Sequence, residues 1–406
     1  MHGLRSATLA LGLALVAAAC STSGRDDTSS LPSTSSTTPT TTEAAVQAPG
    51  NLPTGPSALA DRFHPDLPEP LVDPSEIRSG GPPPDGIPPI DDPTFVPVAE
   101  ADAWLADPEP VILLELEGEA RAYPIQILIW HEIVNDTVAG VPVAVTYCPL
   151  CNSGITFDRR VRGVETTFGT SGMLYNANLV MYDRATESLW NQLDGRAVVG
   201  VLTGERLDRL PSVVVSWEEL RRTRPTAAVL SRDTGFRRDY GRNPYTGLDD
   251  PDGTPFLFSG RLDGRAKAMQ RVVAVDDGDR AVAWTLEAIS GSGPTVTVGE
   301  IGDEPIVVFW QPGQASALET DDVSGGRDVG DVGVFTTTVD GRVLDFEVRD
   351  GAFVDTETGS TWNVLGEAVG GPLAGTRLEP VTFVRTFWFS WAAFRPDTLL
   401  VDAPTS

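Results

Sequence analysis

Cys148 and Cys151 are the residues of this chain whose type and spacing best suit chemistry. They stand in the order Cys-Pro-Leu-Cys, and the third cysteine, Cys20, lies far from them in sequence. A bridge between Cys148 and Cys151 would close a very short loop, so it would constrain the unfolded chain little. A pair that opens and closes is therefore more attractive than a purely stabilising disulfide. We predict thiol–disulfide exchange with a partner, in which one thiolate attacks and the other resolves the mixed disulfide.

His131 and Met173 are the residues that would extend this site. His131 is a candidate base or electrostatic partner for the thiols. The other two histidines, His2 and His64, lie nearer the N-terminus, outside the predicted domain core. Two thiolates, an imidazole and a thioether would suit copper, and thiolates with an imidazole would suit zinc. One alternative is therefore a non-enzymatic protein that binds copper or zinc through Cys148, Cys151, His131 and Met173. A second alternative is a binding scaffold with an inert disulfide, and the sequence leaves open whether the chain is an enzyme.

The cysteine pair follows a predicted strand instead of opening a helix. Residues 141–147 are an apolar strand pattern, and residues 152–157 indicate a turn and a second strand. Thioredoxin-like motifs belong to a different arrangement, so that fold is not indicated. His131 lies in residues 125–134, an apolar run that predicts a short buried helix also carrying Glu132. A redox-active pair at this position is expected to be at least partly exposed beside a cleft.

An internal repeat links the two halves of the chain. Four stretches recur in the same order and predict two similar lobes that arose by duplication. The matched stretches are 118–123 with 278–284, 142–145 with 305–308, 183–191 with 355–363, and Trp217 with Trp388. Short strands, hairpins and a few short helices make the predicted fold class α+β and β-rich. The second copy has residues 311–314, Gln-Pro-Gly-Gln, in place of the cysteine loop, and we expect the two loops to share one geometry. The absence of both thiols from the second copy favours a chemical role for the first copy.

The N-terminus carries the pattern of an exported lipoprotein. Arg5 precedes an apolar run over residues 8–19, which is too short to span a bilayer, and small residues lead into Cys20. We predict a signal peptide over residues 1–19 and a lipid on Cys20. That lipid would hold the protein on the outer face of the cell membrane.

Composition then divides the rest of the chain. Residues 20–54 form a Ser/Thr/Pro-rich stalk that cannot bury enough apolar surface to fold. Residues 55–230 are predicted to hold a leading segment and the first lobe, residues 231–270 an inter-lobe linker, and residues 271–403 the second lobe. The net charge of −27, from 30 basic and 57 acidic residues, disfavours a nucleic-acid partner. The remaining partners are the membrane, through Cys20, and an unknown envelope protein or small molecule.

Several motifs resemble DUF3179, a family of bacterial extracytoplasmic proteins with no assigned function. The matching motifs are WHEIVND at 130–136, TYCPLC at 146–151, FGTSG at 168–172, LVMYDR at 179–184 and TESLW at 186–190. The resemblance covers most of residues 85–402. Some members of the family carry selenocysteine in the corresponding loop, which would fit redox or soft-metal chemistry. Family members usually have glycine after the second cysteine, whereas this chain has Asn152.

Overall fold

Short β-strands make up most of the regular structure in the computed structural model, which describes residues 50–402. The predicted signal peptide, Cys20 and the stalk as far as residue 49 lie outside the described residues. The first half of the described chain contains sixteen strands. They are β1 Arg78–Ser79, β2 Phe95–Pro97, β3 Pro110–Leu116, β4 Glu119–Pro124, β5 Ile133–Val138, β6 Val141–Cys148, β7 Ser153–Asp158, β8 Arg160–Val161, β9 Val164–Glu165, β10 Phe168–Tyr175, β11 Asn178–Asp183, β12 Leu189–Asn191, β13 Ala197–Val199, β14 Arg209–Leu210, β15 Ser212–Ser216 and β16 Ala228–Leu230.

The second half continues with strands of similar length, and the described helices are short. The strands are β17 Arg271–Asp276, β18 Ala281–Thr285, β19 Thr295–Ile301, β20 Glu304–Gln311, β21 Asp331–Thr336, β22 Thr338–Val339, β23 Arg342–Val343, β24 Phe346–Arg349, β25 Ala352–Asp355, β26 Thr361–Trp362, β27 Ala368–Gly370, β28 Phe383–Phe387 and β29 Leu399–Val401. The helices are α1 Val98–Ala101, α2 Ile125–His131, α3 Trp217–Thr223, α4 Leu286–Ile289 and α5 Trp388–Phe394, with a 3₁₀ turn at Pro74–Glu76. The prediction of a β-rich fold with few short helices is therefore confirmed.

One sheet in each half has the same strand order and the same strand directions. In the first half β15, β3, β4 and β16 lie side by side, with β2 at the edge. In the second half β28, β17, β18 and β29 do so. The first two pairings are antiparallel and the third is parallel in both sheets. The hairpin β3–β4 thus corresponds in position to the hairpin β17–β18.

The remaining large sheets also correspond. Strands β5, β6 and β7 form a meander with β14 added at its edge, and β19, β20 and β21 form a meander of the same order. The run β10–β11–β12–β13 is matched by β24–β25–β26–β27. Both runs have a register shift at the residue before a buried tryptophan, Trp190 in the first half and Trp362 in the second.

In each half a buried aspartate stabilises a turn, and the two turns are of the same kind. Asp183 accepts a hydrogen bond from the Trp190 indole N–H at 2.9 Å, and Asp355 accepts one from Trp362 at 2.9 Å. Each carboxylate also accepts from backbone N–H groups of its own turn. Charge-assisted bonds of this kind satisfy a carboxylate that is shielded from water, so each turn is held in one conformation.

The connections after β6 and β20 differ in length. Residues 149–152 form a tight turn between β6 and β7, whereas residues 312–330 lie between β20 and β21. The Gln-Pro-Gly-Gln stretch at 311–314 therefore starts at the equivalent strand end but opens a much longer loop. The expectation that the two loops share one geometry is wrong beyond their first residues.

The apolar run at 125–134 does not form one continuous helix. Helix α2 ends at His131, Glu132 adopts a left-handed backbone with φ 60°, and β5 begins at Ile133. A mostly apolar run cannot distinguish a buried helix from a buried strand by periodicity, because its apolar positions fit both patterns. The predicted helix was therefore too long, and Asn135 and Asp136 lie on a strand.

The described residues pack as one compact unit. The largest apolar cluster combines Cys148 and Trp190 from the first half with Val272 and Trp388 from the second. Residues 231–270 contain no helix or strand, yet Asp249 within them is fully buried. No helix in the described part of the chain is long and apolar enough to cross a membrane.

Candidate functional site

The two cysteines lie on the turn between β6 and β7. Cys148 is the last residue of β6 and pairs with Ser153, the first residue of β7. Asn152 closes the turn with φ 55° and donates its backbone N–H to the Pro149 carbonyl at 3.1 Å. Glycine tolerates a left-handed backbone best and asparagine is the next most common choice. Asn152 is therefore suited to the backbone conformation that closes this turn.

The two sulfurs touch each other and are shielded from solvent. The Sγ atoms of Cys148 and Cys151 are 2.7 Å apart, both cysteines are free thiols, and their exposed fractions are 1% and 0%. The expectation of a partly exposed pair is therefore wrong. The turn is buried because the start of β11 covers it on one side and β28 of the second half covers it on another.

Strand β28 holds the cysteine turn through the backbone carbonyl of Cys151. The Cys151 carbonyl accepts hydrogen bonds from the Phe387 N–H at 3.0 Å and from the Thr386 hydroxyl at 2.7 Å. Both donors belong to the second half of the chain. The second half therefore positions the thiols that the first half carries.

Each sulfur accepts an N–H from the beginning of β11. The side-chain amide of Asn178 donates to Cys151 Sγ at 3.0 Å, and the backbone N–H of Leu179 donates to the Cys148 sulfur. The amide orientation of Asn178 is fixed, because its oxygen accepts the Leu193 backbone N–H at 3.0 Å. Two N–H groups aimed at two sulfurs favour negative charge on the sulfurs.

A buried polar network supports Asn178. The Gln192 oxygen accepts from the Ser153 hydroxyl at 2.9 Å and from Asn178 at 3.3 Å. The Gln192 amide donates to the Thr146 hydroxyl at 3.0 Å. All four side chains are fully buried, so each hydrogen bond replaces one that water would otherwise supply. Sequence reasoning missed Asn178 and Gln192, although a polar residue directly before the apolar run at 179–182 was a usable signal.

Burial works against the thiolate at Cys148. It raises the pKa of the Cys148 thiol well above its ordinary range, and the contact with Cys151 and the nearby charge of Glu132 raise it further. The Leu179 N–H opposes this shift only in part. Thiol chemistry at neutral pH therefore requires a group that removes a proton inside the site.

Glu132 is a buried carboxyl placed beside the thiol turn. Its carbonyl accepts the Tyr147 backbone N–H at 2.8 Å, which sets Glu132 opposite the residue that precedes Cys148. It is 7% exposed, and its carboxylate accepts no hydrogen bond from the described residues. Burial raises its pKa from 4.5 to about 8. A carboxyl with a pKa near neutrality is suited to exchange protons with a neighbouring group.

His131 is directed away from the sulfurs. Its Nδ1 lies 2.7 Å from the Pro88 carbonyl and its Nε2 lies 2.7 Å from the Tyr240 hydroxyl. Since a carbonyl only accepts, Nδ1 carries the hydrogen, and Nε2 accepts from Tyr240. Burial lowers the pKa of His131 to about 4, so the ring is neutral at pH 7. Both nitrogens are occupied, and this arrangement places His131 with Pro88 and Tyr240 instead of with the thiols.

Met173 is also in a different part of the core. It contacts the guanidinium of Arg62 at 3.9 Å through its sulfur and packs with the cluster around Ile77 and Val180. Among the described residues, no group of three or more His, Cys, Asp or Glu side chains could hold a metal ion. Of the four predicted metal ligands, only the two cysteines therefore lie together.

Comparison with known proteins gives one match. No curated protein and no solved structure is similar enough to match this chain. A family model described as "Protein of unknown function (DUF3179)" matches residues 84–398, which confirms the resemblance seen in the motifs. With most of its length matched, the chain belongs to the DUF3179 family.

Proposed function

We propose that this protein carries out thiol–disulfide exchange with its partner at Cys148 and Cys151. The observation that carries the proposal is the contact between the two sulfurs, 2.7 Å apart, with one N–H donor aimed at each. An inert core cysteine needs neither a second thiol nor a dedicated amide. No described ligand set favours the copper or zinc alternative over this one.

In the proposed reaction Glu132 accepts the proton of the Cys148 thiol. The thiolate, stabilised by the Leu179 N–H, attacks one sulfur of the partner disulfide, and the first partner thiolate leaves with that proton. Cys151 then loses its proton to the second leaving sulfur and attacks Cys148, which closes the intramolecular disulfide. Two thiols of the protein are oxidised and one disulfide of the partner is reduced to two thiols. The reverse sequence oxidises the partner.

Access to the sulfurs is the step that the fold controls. The Cys151 thiol lies 3.5 Å from the carbonyl of Ala177, in the turn between β10 and β11. The preceding residue, Asn176, lines an open cleft of about 520 Å³. Both turn residues have left-handed backbones, φ 50° and 58°, and alanine is disfavoured there by about 1–2 kcal/mol. We propose that this turn moves aside to admit a small disulfide, or a disulfide-bearing loop of an envelope protein, from the cleft.

We also propose that the two halves descend from one duplicated unit. The equal strand orders, the shared register shift before Trp190 and Trp362, and the matching Asp183 and Asp355 turns support this origin. At the sequence positions that correspond to Thr146, Cys148 and Gln192, the second half has Phe309, Gln311 and Val364. The thiol and its polar support thus belong to one copy only, which is the pattern expected of a specialised site.

We propose further that the protein acts at the outer face of the cell membrane. The apolar run at 8–19 and the small residues before Cys20 support a signal peptide followed by lipid attachment. The Ser/Thr-rich stalk would then hold the thiol-bearing part away from the bilayer.

The experiment that tests the exchange function uses the full chain in a Cys20→Ala background. Incubation with a small aromatic disulfide should release two thiols for each protein molecule. Cys148→Ser and Cys151→Ser should each prevent the second release, because no intramolecular bridge can form. Release of no thiol by the parent protein, even over hours, would refute the proposal.

A further inference from the structure

A small cavity lies where the two halves of the chain meet. Its volume is about 20 Å³, and its walls include Tyr147 and Asn152 from the first half and Arg271, Gln314 and Arg385 from the second. A space of this size holds one water-sized species. Neither aspartate nor glutamate contributes to the walls.

Arg385 is a buried guanidinium without an ion pair. It is 8% exposed. Its Nη1 donates to Gln314 Oε1 at 2.8 Å and to the Val214 carbonyl at 3.4 Å, and its Nη2 donates to the Val329 carbonyl at 3.2 Å. The carboxylates of Asp331, Asp249 and Asp328 act on it electrostatically, but none of them forms an ion pair with it. Its Nε has no acceptor among the described residues. A buried charge normally has a paired counter-charge, so this arrangement leaves positive charge at the cavity uncompensated by direct contact.

Arg271 brings a second positive charge to the same cavity. It is 7% exposed and pairs with Asp249 Oδ2 at 2.8 Å through its Nε. Its Nη2 donates to the Ser316 hydroxyl at 3.0 Å, while Nη1 has no acceptor among the described residues. Burial, together with the charge of Arg271, lowers the pKa of Arg385 to about 10, so the Arg385 guanidinium is charged at pH 7.

The nearest carboxylates are occupied by other partners. Asp249 also binds Arg327 at 2.8 Å and accepts the Ser316 hydroxyl. Asp331 accepts from the Ser216 N–H at 2.6 Å and from the Gln314 amide at 3.0 Å. Gln314 therefore separates Asp331 from Arg385, and the two arginines face the cavity with open N–H groups.

We propose that this cavity binds one small monovalent anion of the halide class, held between Arg271 and Arg385. Space for one water-sized species suits a single monatomic anion better than a polyatomic one such as sulfate or phosphate. The anion supplies the counter-charge that Arg385 lacks. It also accepts hydrogen bonds from the N–H groups of both guanidiniums that have no acceptor in the protein. Because the walls come from both halves, occupancy fixes the halves against each other. Arg385 directly precedes Thr386, so the same anion steadies the strand that holds the Cys151 carbonyl.

The first test locates the ion in the unaltered protein. Crystals of the wild-type full chain grown in sodium bromide should show one anomalous scattering peak between the Arg271 and Arg385 side chains. A peak there supports the proposal. A cavity that contains only water, with no anomalous signal at 0.2 M or more bromide, overturns it.

The second test measures linkage in solution. At constant ionic strength, replacing gluconate by chloride should raise the unfolding midpoint of the wild-type protein progressively with chloride concentration, because the ion binds only the folded state. Arg385→Gln should abolish this rise. Arg327→Gln is the matched control, since Arg327 also contacts Asp249 but does not line the cavity, and it should keep the rise. Equal midpoints in chloride and gluconate for the wild-type protein would contradict the proposal even if Arg385→Gln fails to fold.

Discussion

Replacing Glu132 by glutamine should stabilise the protein, and the gain should grow with pH. Burial raises the pKa of Glu132 from its ordinary 4.5 to about 8, so the folded state resists ionisation that the unfolded chain undergoes freely. The resulting penalty is absent below pH 4.5, grows as pH rises and levels off above about pH 8. At 1.36 kcal/mol per pKa unit the penalty is about 3 kcal/mol at pH 7, with a ceiling of about 5 kcal/mol.

The assay is denaturant unfolding of the wild-type protein and Glu132→Gln at several pH values between 4.5 and 8. The difference between the two free energies of unfolding should widen by about 1.4 kcal/mol per pH unit through the middle of this range. Glu117→Gln is the matched control, because Glu117 also has a left-handed backbone, with φ 49°, but is exposed. This control removes an exposed carboxylate at a left-handed position, whereas Glu132→Gln removes a buried one. Parallel curves for wild type and Glu132→Gln would refute the assignment of Glu132 as the buried titrating group beside the thiols.

Three further predictions concern other parts of the chain. Asn178→Ala should lower the free energy of unfolding by about 1–3 kcal/mol, because it leaves the buried Leu193 N–H without an acceptor, and it should slow thiol exchange as measured by thiol release. Cys20→Ala should move the protein from the membrane fraction to the soluble fraction on centrifugation, and unchanged partitioning would contradict lipid anchoring. Deleting residues 24–45 should leave the thermal unfolding midpoint nearly unchanged in calorimetry, whereas a large drop would show that the stalk packs on the fold.

Local patterns in the sequence predict much of the secondary structure. The alternation of apolar and polar residues, together with turn residues, locates the β3–β4 hairpin. An apolar run bounded by turn residues locates β6. Ser216 followed by two glutamates locates the start of α3, where the Ser216 hydroxyl accepts the Glu219 N–H at 3.2 Å. These features depend on neighbours in the chain, so a single sequence contains the information that decides them.

The surroundings of the thiols could not be predicted in this way. Asn178 and Gln192 reach Cys151 and its turn only because β11 and β12 fold over β6 and β7, and the sequence pattern does not reveal that contact. The orientation of His131 depends on Tyr240, which is more than a hundred residues away. The residue types therefore located the thiols, but tertiary contacts decided which polar groups serve them.

The most direct test of the thiol-exchange proposal is a redox titration of the full chain in a Cys20→Ala background. The protein would be equilibrated with glutathione mixtures over a range of potentials and quenched in acid. After unfolding and alkylation, its mass would be measured by mass spectrometry. We predict that Cys148 and Cys151 pass together from two alkylated thiols to none, with a midpoint above about −300 mV, the range of labile bridges. Two thiols that stay reduced at every potential, a bridge that never opens, or stoichiometric copper or zinc in the purified protein would contradict it.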